Sequence, residues 1–320
     1  MPKLNVQQNN ANVIKALRNA LAIGQIKGPI ASDGNDNFTS TGSNRNLLDN
    51  WYFVGGGSQL GDGVFPINQR GQTSYSGSAN IFDRWTLQNA FATLASDAVY
   101  FGSTTQNVWG LMQQVPSCFR NLWGKTVTVS AILNNDELVQ GTYTIPSSGA
   151  FDMPAAGSGG VFVNLYSYDG SNIVFRIYTQ YTAQYHIKAV KLELGTVSTL
   201  ANDAPPDYGT ELAKCKQYYR EIVCTARGRL FLGIGFGTTG VEVPNIFGVG
   251  NEMRTTSPNV TVTGSLYVSI GSDIAVTSVS KNFSNSNFGL SFNTAGGITA
   301  QTVYSVIGSA GAKITFSADL

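Results

Sequence analysis

VFVNLYSY (Val161–Tyr168) and IVFRIYTQ (Ile173–Gln180) are the two stretches whose reading decides the fold. In the first, Val161, Val163 and Leu165 point one way and Phe162, Asn164, Tyr166 and Tyr168 the other. In the second, Ile173, Phe175 and Ile177 oppose Val174, Arg176, Tyr178 and Gln180. Strict alternation of this kind is the signature of β-strands with one face buried. A two-residue turn at Gly170-Ser171 would mix the two faces, whereas a three-residue loop, Gly170–Asn172, keeps them apart. That loop sets Tyr166 opposite Arg176 and Asn164 opposite Tyr178. One face is then apolar, and the other combines aromatic rings with hydrogen-bonding groups.

The same period runs outward from this hairpin. Thr126–Leu133 puts Val127, Val129, Ala131 and Leu133 on one side, and the pattern holds from Asn46 to Thr199 with Gly, Pro, Asn and Ser between the runs. Short strands with such connections and little helix make a β-sandwich. Leu200–Asp207 (LANDAPPD) is a Pro-containing joint. After it, Leu212, Cys215, Tyr219 and Ile222 share one face of a helix expected over Thr210–Val223. Period two then returns. Leu230, Leu232, Ile234 and Phe236 form a stripe opposite Gly233, Gly235 and Gly237, Val260, Val262, Leu266 and Val268 form another, and Val303–Phe316 closes the chain. Glycines opposite an apolar face point to close approach by another backbone or chain, and the region reads as a second β-sandwich. Ahead of all this, Val13, Ile14, Leu17, Ala20 and Leu21 mark a short amphipathic helix over Asn10–Gly24, followed by a Gly/Ser/Asn-rich linker, Gly28–Arg45. The expected division is therefore residues 1–45, 46–207 and 208–320.

Composition limits the function classes. The 320 residues suffice for two or three domains, and only 12% are charged, with a net charge of +1 and 36 glycines. Without a Lys/Arg run there is no source for counterion release, so nucleic acid is not an expected partner. No stretch approaches the roughly 18 apolar residues of a membrane span, and the first apolar run, Val13–Ile23, is interrupted by Lys15, Arg18 and Asn19, unlike a secretory signal. Cys118, Cys215 and Cys224 are an odd set without a disulfide framework and read as buried apolar thiols.

Catalytic templates fail in turn. The lone His186 lies early in a strand, Tyr185–Leu194, on the side of Val190, Leu192 and Leu194, and reads as an edge-of-core histidine; no GxSxG elbow accompanies it. Asp33–Asn37 is oxygen-rich but lacks the spacing to a terminal Glu of a calcium loop, so no metal and no cofactor is expected. Gly233–Gly237 does not open a helix after a strand and cradles no phosphate. Many of the carboxylates sit in turns or caps, as Asp62, Asp169 and Asp207 do, although a glycan depolymerase using paired carboxylates stays as a third reading.

Several separated motifs then occur in a telling order: Asn46–Phe53 (NLLDNWYF), Asn68–Gly71 (NQRG), Asp83–Trp85 (DRW), Leu192–Gly195 (LELG) and Glu211–Tyr219 (ELAKCKQYY). Over residues 46–222 this resembles the jelly-roll carbohydrate-binding-like module of bacteriophage tail-fibre and receptor-binding proteins, with the helix that follows it. Gly55–Phe65 is longer than in relatives. The resemblance implies a mainly β protein: a jelly-roll sandwich opened by strands at NLLDNWYF and DRW, a connecting helix and a C-terminal β-sandwich. It also implies a homotrimeric, non-enzymatic virion component, made in the host cytoplasm and released by lysis. Its function would be host adsorption through surface glycan, or alternatively a structural role such as a head fibre or baseplate spacer. Asn164, Tyr166, Arg176 and Tyr178 are the expected glycan face, with a plain solvent-facing sheet or subunit contact as the competing reading. Val13, Leu17 and Leu21 are the expected attachment stripe toward other virion proteins.

Overall fold

The computed structural model describes residues 30–32, 38–40, 44–55, 64–103, 109–115, 122–179, 182–244, 246, 253, 258–284 and 287–318. The helix expected over Asn10–Gly24, with Val13, Leu17 and Leu21, lies outside these residues, as do Asp33–Asn37 and Cys118. Within the expected linker, β1 (Ile30–Ser32) pairs antiparallel with β2 (Phe38–Ser40). The protein is mainly β, as its period-two runs require.

The first unit comprises β3 (Ser74–Asn80), β4 (Thr86–Leu94), β5 (Val99–Gly102), β6 (Trp109–Gln114), β7 (Thr126–Leu133), β8 (Leu138–Thr144), β9 (Phe151–Asp152), β10 (Ala156–Ser158), β11 (Val161–Ser167), β12 (Val174–Thr179) and β13 (Gln184–Leu194). They are ordered β10-β11-β12-β6-β4-β5-β13-β7-β8, with β3 on β4 and β9 on β11. Strand β4 is the hinge of the sandwich. Thr86 and Leu87 pair with β6, Phe91–Leu94 pair with β5, and Asn89 between them has φ +46°, so one strand serves both sheets. The sheets close over an aromatic centre in which Phe53 lies 5.4 Å from Phe82 and 5.3 Å from Trp85, and Trp85 lies 6.1 Å from Phe175, ring centroid to centroid.

Neither opening motif is a regular strand. NLLDNWYF runs along β13 with interrupted bonds, Leu47 N to Leu192 O and Phe53 N to Lys188 O, and a single bridge at Tyr52 and Ala189. Asp83-Arg84-Trp85 is a turn, with Arg84 at φ +74° and Trp85 N donating to Phe82 O. Polar side chains explain both departures, because they intercept backbone groups that a ladder would use. Asn46 donates to Val190 O and accepts from Leu192 N. Asn50 donates through Nδ2 to Ile67 O and Asp83 O, and accepts from Ile67 N.

The connecting helix, α1 (Tyr208–Cys215), starts where Asp207 accepts from Thr210 N at 2.8 Å. It ends eight residues before the expected Val223. Tyr219–Val223 is instead strand β14, paired with β22 (Lys313–Ser317), so Tyr219 and Ile222 are not helical. Aromatic and β-branched residues there gain more from a pleated ladder than from another helical turn. Leu212 and Cys215 do face inward, against Phe65 and Ile67 of the first unit.

The expected C-terminal β-sandwich takes a particular form. A three-stranded sheet, β14-β22-β17 with β17 Asn259–Thr263, sits with a closed six-stranded barrel. The barrel order is β15 (Gly228–Phe236), β16 (Gly240–Val243), β20 (Asn287–Thr294), β19 (Asp273–Ser284), β18 (Leu266–Ser269) and β21 (Val303–Gly308). On β15 Gly233 and Gly235 face in and Leu232, Ile234 and Phe236 face out, while Leu230, ahead of them, packs partly buried against the core. A Cβ at Gly233 would stand 2.6 Å from Val241 Cγ1, and one at Gly235 2.2 Å from Thr299 O. The close approach inferred from the glycines is thus made within the chain, while Leu232, Ile234 and Phe236 are exposed.

Asn50→Ala should lower stability by about 2–4 kcal/mol, because it orphans buried backbone groups at Ile67 and Asp83 and leaves a residue less tolerant of φ +50°. Urea unfolding midpoints of the two proteins measure this, and a loss below about 1 kcal/mol would contradict the role of the amide.

Candidate functional site

The β11–β12 hairpin keeps its two faces separate, as the odd loop demands, but its register is shifted by two residues. Asn164 pairs with Arg176, Phe162 with Tyr178 and Tyr166 with Val174. Asp169 is responsible: its Oδ1 accepts from Ser171 N at 2.8 Å and Asn172 N at 3.2 Å, which centres the loop on Gly170, at φ +72°. The same two N–H groups hold the Asp169 carboxyl below the usual carboxylate range.

On the face turned away from the apolar core, the four expected residues meet. The Arg176 guanidinium lies 4.9 Å from the Tyr166 ring centroid and 4.6 Å from that of Tyr178. Its Nε donates to Asn164 Oδ1 at 3.0 Å, and one terminal nitrogen reaches Asp152 Oδ1 at 3.1 Å. Asn164 Nδ2 donates to the same Asp152 oxygen and to Met153 O. Tyr166 OH donates to Met112 Sδ, and Tyr178 stacks on Phe162 at 5.5 Å. Gly110 on β6 lets the third strand in, since a Cβ there would stand 2.0 Å from Ile177 O.

This packing corrects the expectation of an open platform. Asn164, Tyr166, Arg176 and Tyr178 are only 1%, 5%, 7% and 4% exposed. They form a floor rather than a surface. What solvent reaches is the rim: Tyr168, 69% exposed and edge-on to Tyr166 at 4.8 Å, and the carboxylate of Asp152. Sequence reading missed Asp152 because β9 has two residues and no period to read. Burial is the first cause that pushes Tyr166 up to about 12, ahead of Tyr168; it raises Tyr178 as well, against the Arg176 charge.

The motif residues converge elsewhere, at the junction of the first unit with α1 and β14. Arg84 contacts Asp49 at 3.2 Å, donates to Gln114 O and stacks at 3.5 Å over Tyr218. Arg70 lies 4.0 Å over Tyr219, and Gln69 Nε2 joins Asp83 Oδ2 to Tyr219 O. Glu211 accepts from Asn50 N. The Cys215 thiol is buried and pushed well up by that burial, so it is a packing group and no nucleophile. This cluster locks segments together.

His186 is not on the Val190 side. A bulge between Ile187 and Ala189 resets the alternation, so Ile187 enters the core, while His186 stacks half-buried on Tyr100 at 3.8 Å with Nδ1 3.1 Å from Asn134 Nδ2. Leu194, the last residue of β13, is exposed although it lies on the Val190 side. Among the described residues, no three His, Cys, Asp or Glu side chains are grouped to hold a metal ion.

Because the fold favours neutral Tyr166, its contribution to stability is complete below pH 10 and is lost as pH rises through about 12. Tyr166→Phe should therefore flatten the fall in urea midpoint between those pH values; an unchanged slope would place the alkaline loss in other groups.

Comparison with known proteins gives no match: no family model, no curated protein and no solved structure matches the chain.

Proposed function

We propose that the chain is a phage virion fibre or receptor-binding protein that adsorbs to host-surface glycan. The observation that carries this is the fixed floor of Arg176, Asn164, Tyr166 and Tyr178 beneath an exposed rim of Tyr168 and Asp152. An exposed tyrosine ring is a platform for the apolar face of a sugar, and a carboxylate beside it accepts hydroxyl hydrogen bonds. The ion pair with Arg176 leaves Asp152 its outward lone pairs, and the floor holds both groups at fixed positions. Ordering has then already been met before a ligand arrives, which favours binding.

The second reading, a structural or decorating virion protein, draws on the burial of the same four residues. A packed Tyr-Arg-Asn face stabilises a sheet whether or not anything binds its rim.

The proposed assembly is a homotrimer, with other virion proteins held through the N-terminal segment that carries Val13, Leu17 and Leu21. Leu232, Ile234 and Phe236, with Val303 across the ladder from Ile234, expose on the order of 400 Å², as large as the principal patch of a typical monomer. Few charges surround the stripe, and a second copy of this chain is the occupant that fits, because Arg229 on β15 and Glu242 opposite Ile234 give its margins opposite signs.

Glycan-array binding by the full chain should be lost in Tyr168→Ala combined with Asp152→Asn, with a melting temperature within a few degrees of the parent, since Tyr168 is exposed and Asn keeps the Oδ1 acceptor that Arg176 and Asn164 use. Full binding by this double variant sinks the site. No binding by the parent, with tight retention on particles, favours the structural reading.

Light scattering of the full chain should give a trimer mass, falling to the monomer in Leu232→Asp with Phe236→Asp. A monomeric parent at micromolar concentration would overturn the assembly, and a trimeric variant would move it off this stripe.

A further inference from the structure

Outside the rim and the junction lies a second cluster of ionisable groups, none of which the proposed function uses. Lys191 and Glu193 lie on the face of β13 opposite the core residues Val190 and Leu192, and both are fully buried. The segment after β13 folds back over them through the 3-10 turn Leu200–Asn202, delivering Thr199 and Asp203. Lys191 Nζ donates to both carboxylate oxygens of Asp203, at 2.8 and 2.7 Å, and to Thr199 Oγ1 at 2.9 Å. Thr199 Oγ1 donates onward to Glu193 Oε2 at 2.6 Å, and Thr199 N donates to Glu193 Oε1 at 2.7 Å. Glu193 itself stands 3.7 Å from Nζ.

The geometry points to an intramolecular amide bond between Lys191 Nζ and Asp203 Cγ, formed by the folded protein with Glu193 moving the proton. Two-point contact of Nζ with the carboxylate sets Nζ about 3 Å from Cγ, and rotation of the Asp203 carboxyl about Cβ–Cγ turns its face to the nitrogen for attack, a reaction favoured by a large effective concentration. Lys191 and Glu193 are fully buried and the Asp203 carboxylate nearly so, and out of water an ion pair is costly to keep relative to a neutral amide. Burial is also the first cause that raises Asp203, ahead of the opposing contacts with Lys191.

The step balances without a co-reactant. One ammonium proton passes directly from Nζ to Asp203, the freed lone pair attacks Cγ, and a second proton then leaves the nitrogen along the Thr199 hydroxyl to Glu193, which hands it to the departing oxygen. The new Nζ–Cγ bond forms, one Cγ–Oδ bond breaks, and the departing oxygen leaves as water with two of the three ammonium protons. Glu193 returns to its starting state. The product ties β13 covalently to the joint that leads into α1, where pulling between the two units would otherwise strip the segment from the sheet.

Peptide mass spectrometry of the full chain decides the matter. A linked Lys191 resists trypsin, so the digest should contain Ala189–Lys214 with Lys191 uncleaved, lighter than its sequence by one water, about 18 Da. Fragmentation should place the bridge between Lys191 and Asp203. Glu193→Gln should restore cleavage after Lys191 and full mass, as should Asp203→Ala. Cleavage after Lys191 in the parent, giving Leu192–Lys214 at full mass, overturns the bond. The same fragment light by one water overturns it too, since that is a succinimide at Asp203. A bond that forms equally well in Glu193→Gln overturns the proton relay. The parent measurement does not depend on whether either variant folds.

Discussion

The fully buried side-chain amide of Asn50 meets three backbone groups: it accepts from Ile67 N and donates to Ile67 O and Asp83 O. Its own carbonyl accepts from Trp85 Nε1, and its own N–H is taken by Glu211. Four segments that are not regular ladders, namely 46–53, 65–71, 81–85 and α1, are held in register by this one residue. Irregular backbone can be buried only if every polar group finds a partner. The aromatic centre follows from it, because Trp85 is oriented through the bond to Asn50 O, and Phe53 and Phe175 pack against that indole. So does the junction: once the 83–85 turn is fixed, Arg84 lies under Tyr218, next to the first residue of β14.

Period two was enough to delimit β7 as Thr126–Leu133 and to separate the faces of β11 and β12. It did not give the register, because register depends on which residue closes the turn, and the Asp169 carboxylate does so one residue earlier than Gly-Ser-Asn composition suggests. The side of His186 was also out of reach. A bulge costs one residue of phase and leaves no mark in the hydrophobic pattern. The helix after the joint was legible at its start, where Asp207 and Thr210 make a cap, and illegible at its end. Apolar residues at Tyr219 and Ile222 satisfy both a helical and a strand spacing.

The barrel shows a deeper limit. Alternation says that two faces differ, yet it does not say which is inside. On β15 it is the glycine face that turns inward, because the barrel interior beside Val241, Ile298 and Thr299 leaves room for no Cβ at Gly233 or Gly235. Interior space in a small closed sheet is set by strand number and tilt, quantities that belong to the assembled sheet and not to one strand. Leu232, Ile234 and Phe236 are consequently displaced outward.

The candidate site is governed by the same indeterminacy. A strand that alternates Val, Val, Leu with Phe, Asn, Tyr reads identically whether its polar face is open or covered. Here β6 brings Met112 and the bare Gly110 beside Tyr166 and Tyr178, β9 brings Asp152 to Asn164 and Arg176, and the face closes on itself. Aromatic rings, guanidinium and amide then satisfy one another, which leaves them little to offer a ligand directly. Their effect is transmitted to the rim. Tyr168 leans on Tyr166, and Asp152 is held from behind by Arg176, so the two exposed groups have few rotamers left to lose. If the rim takes the glycan we propose for it, restricted side chains would discriminate between ligands by shape, because a sugar that does not match could not recruit an alternative rotamer to meet it.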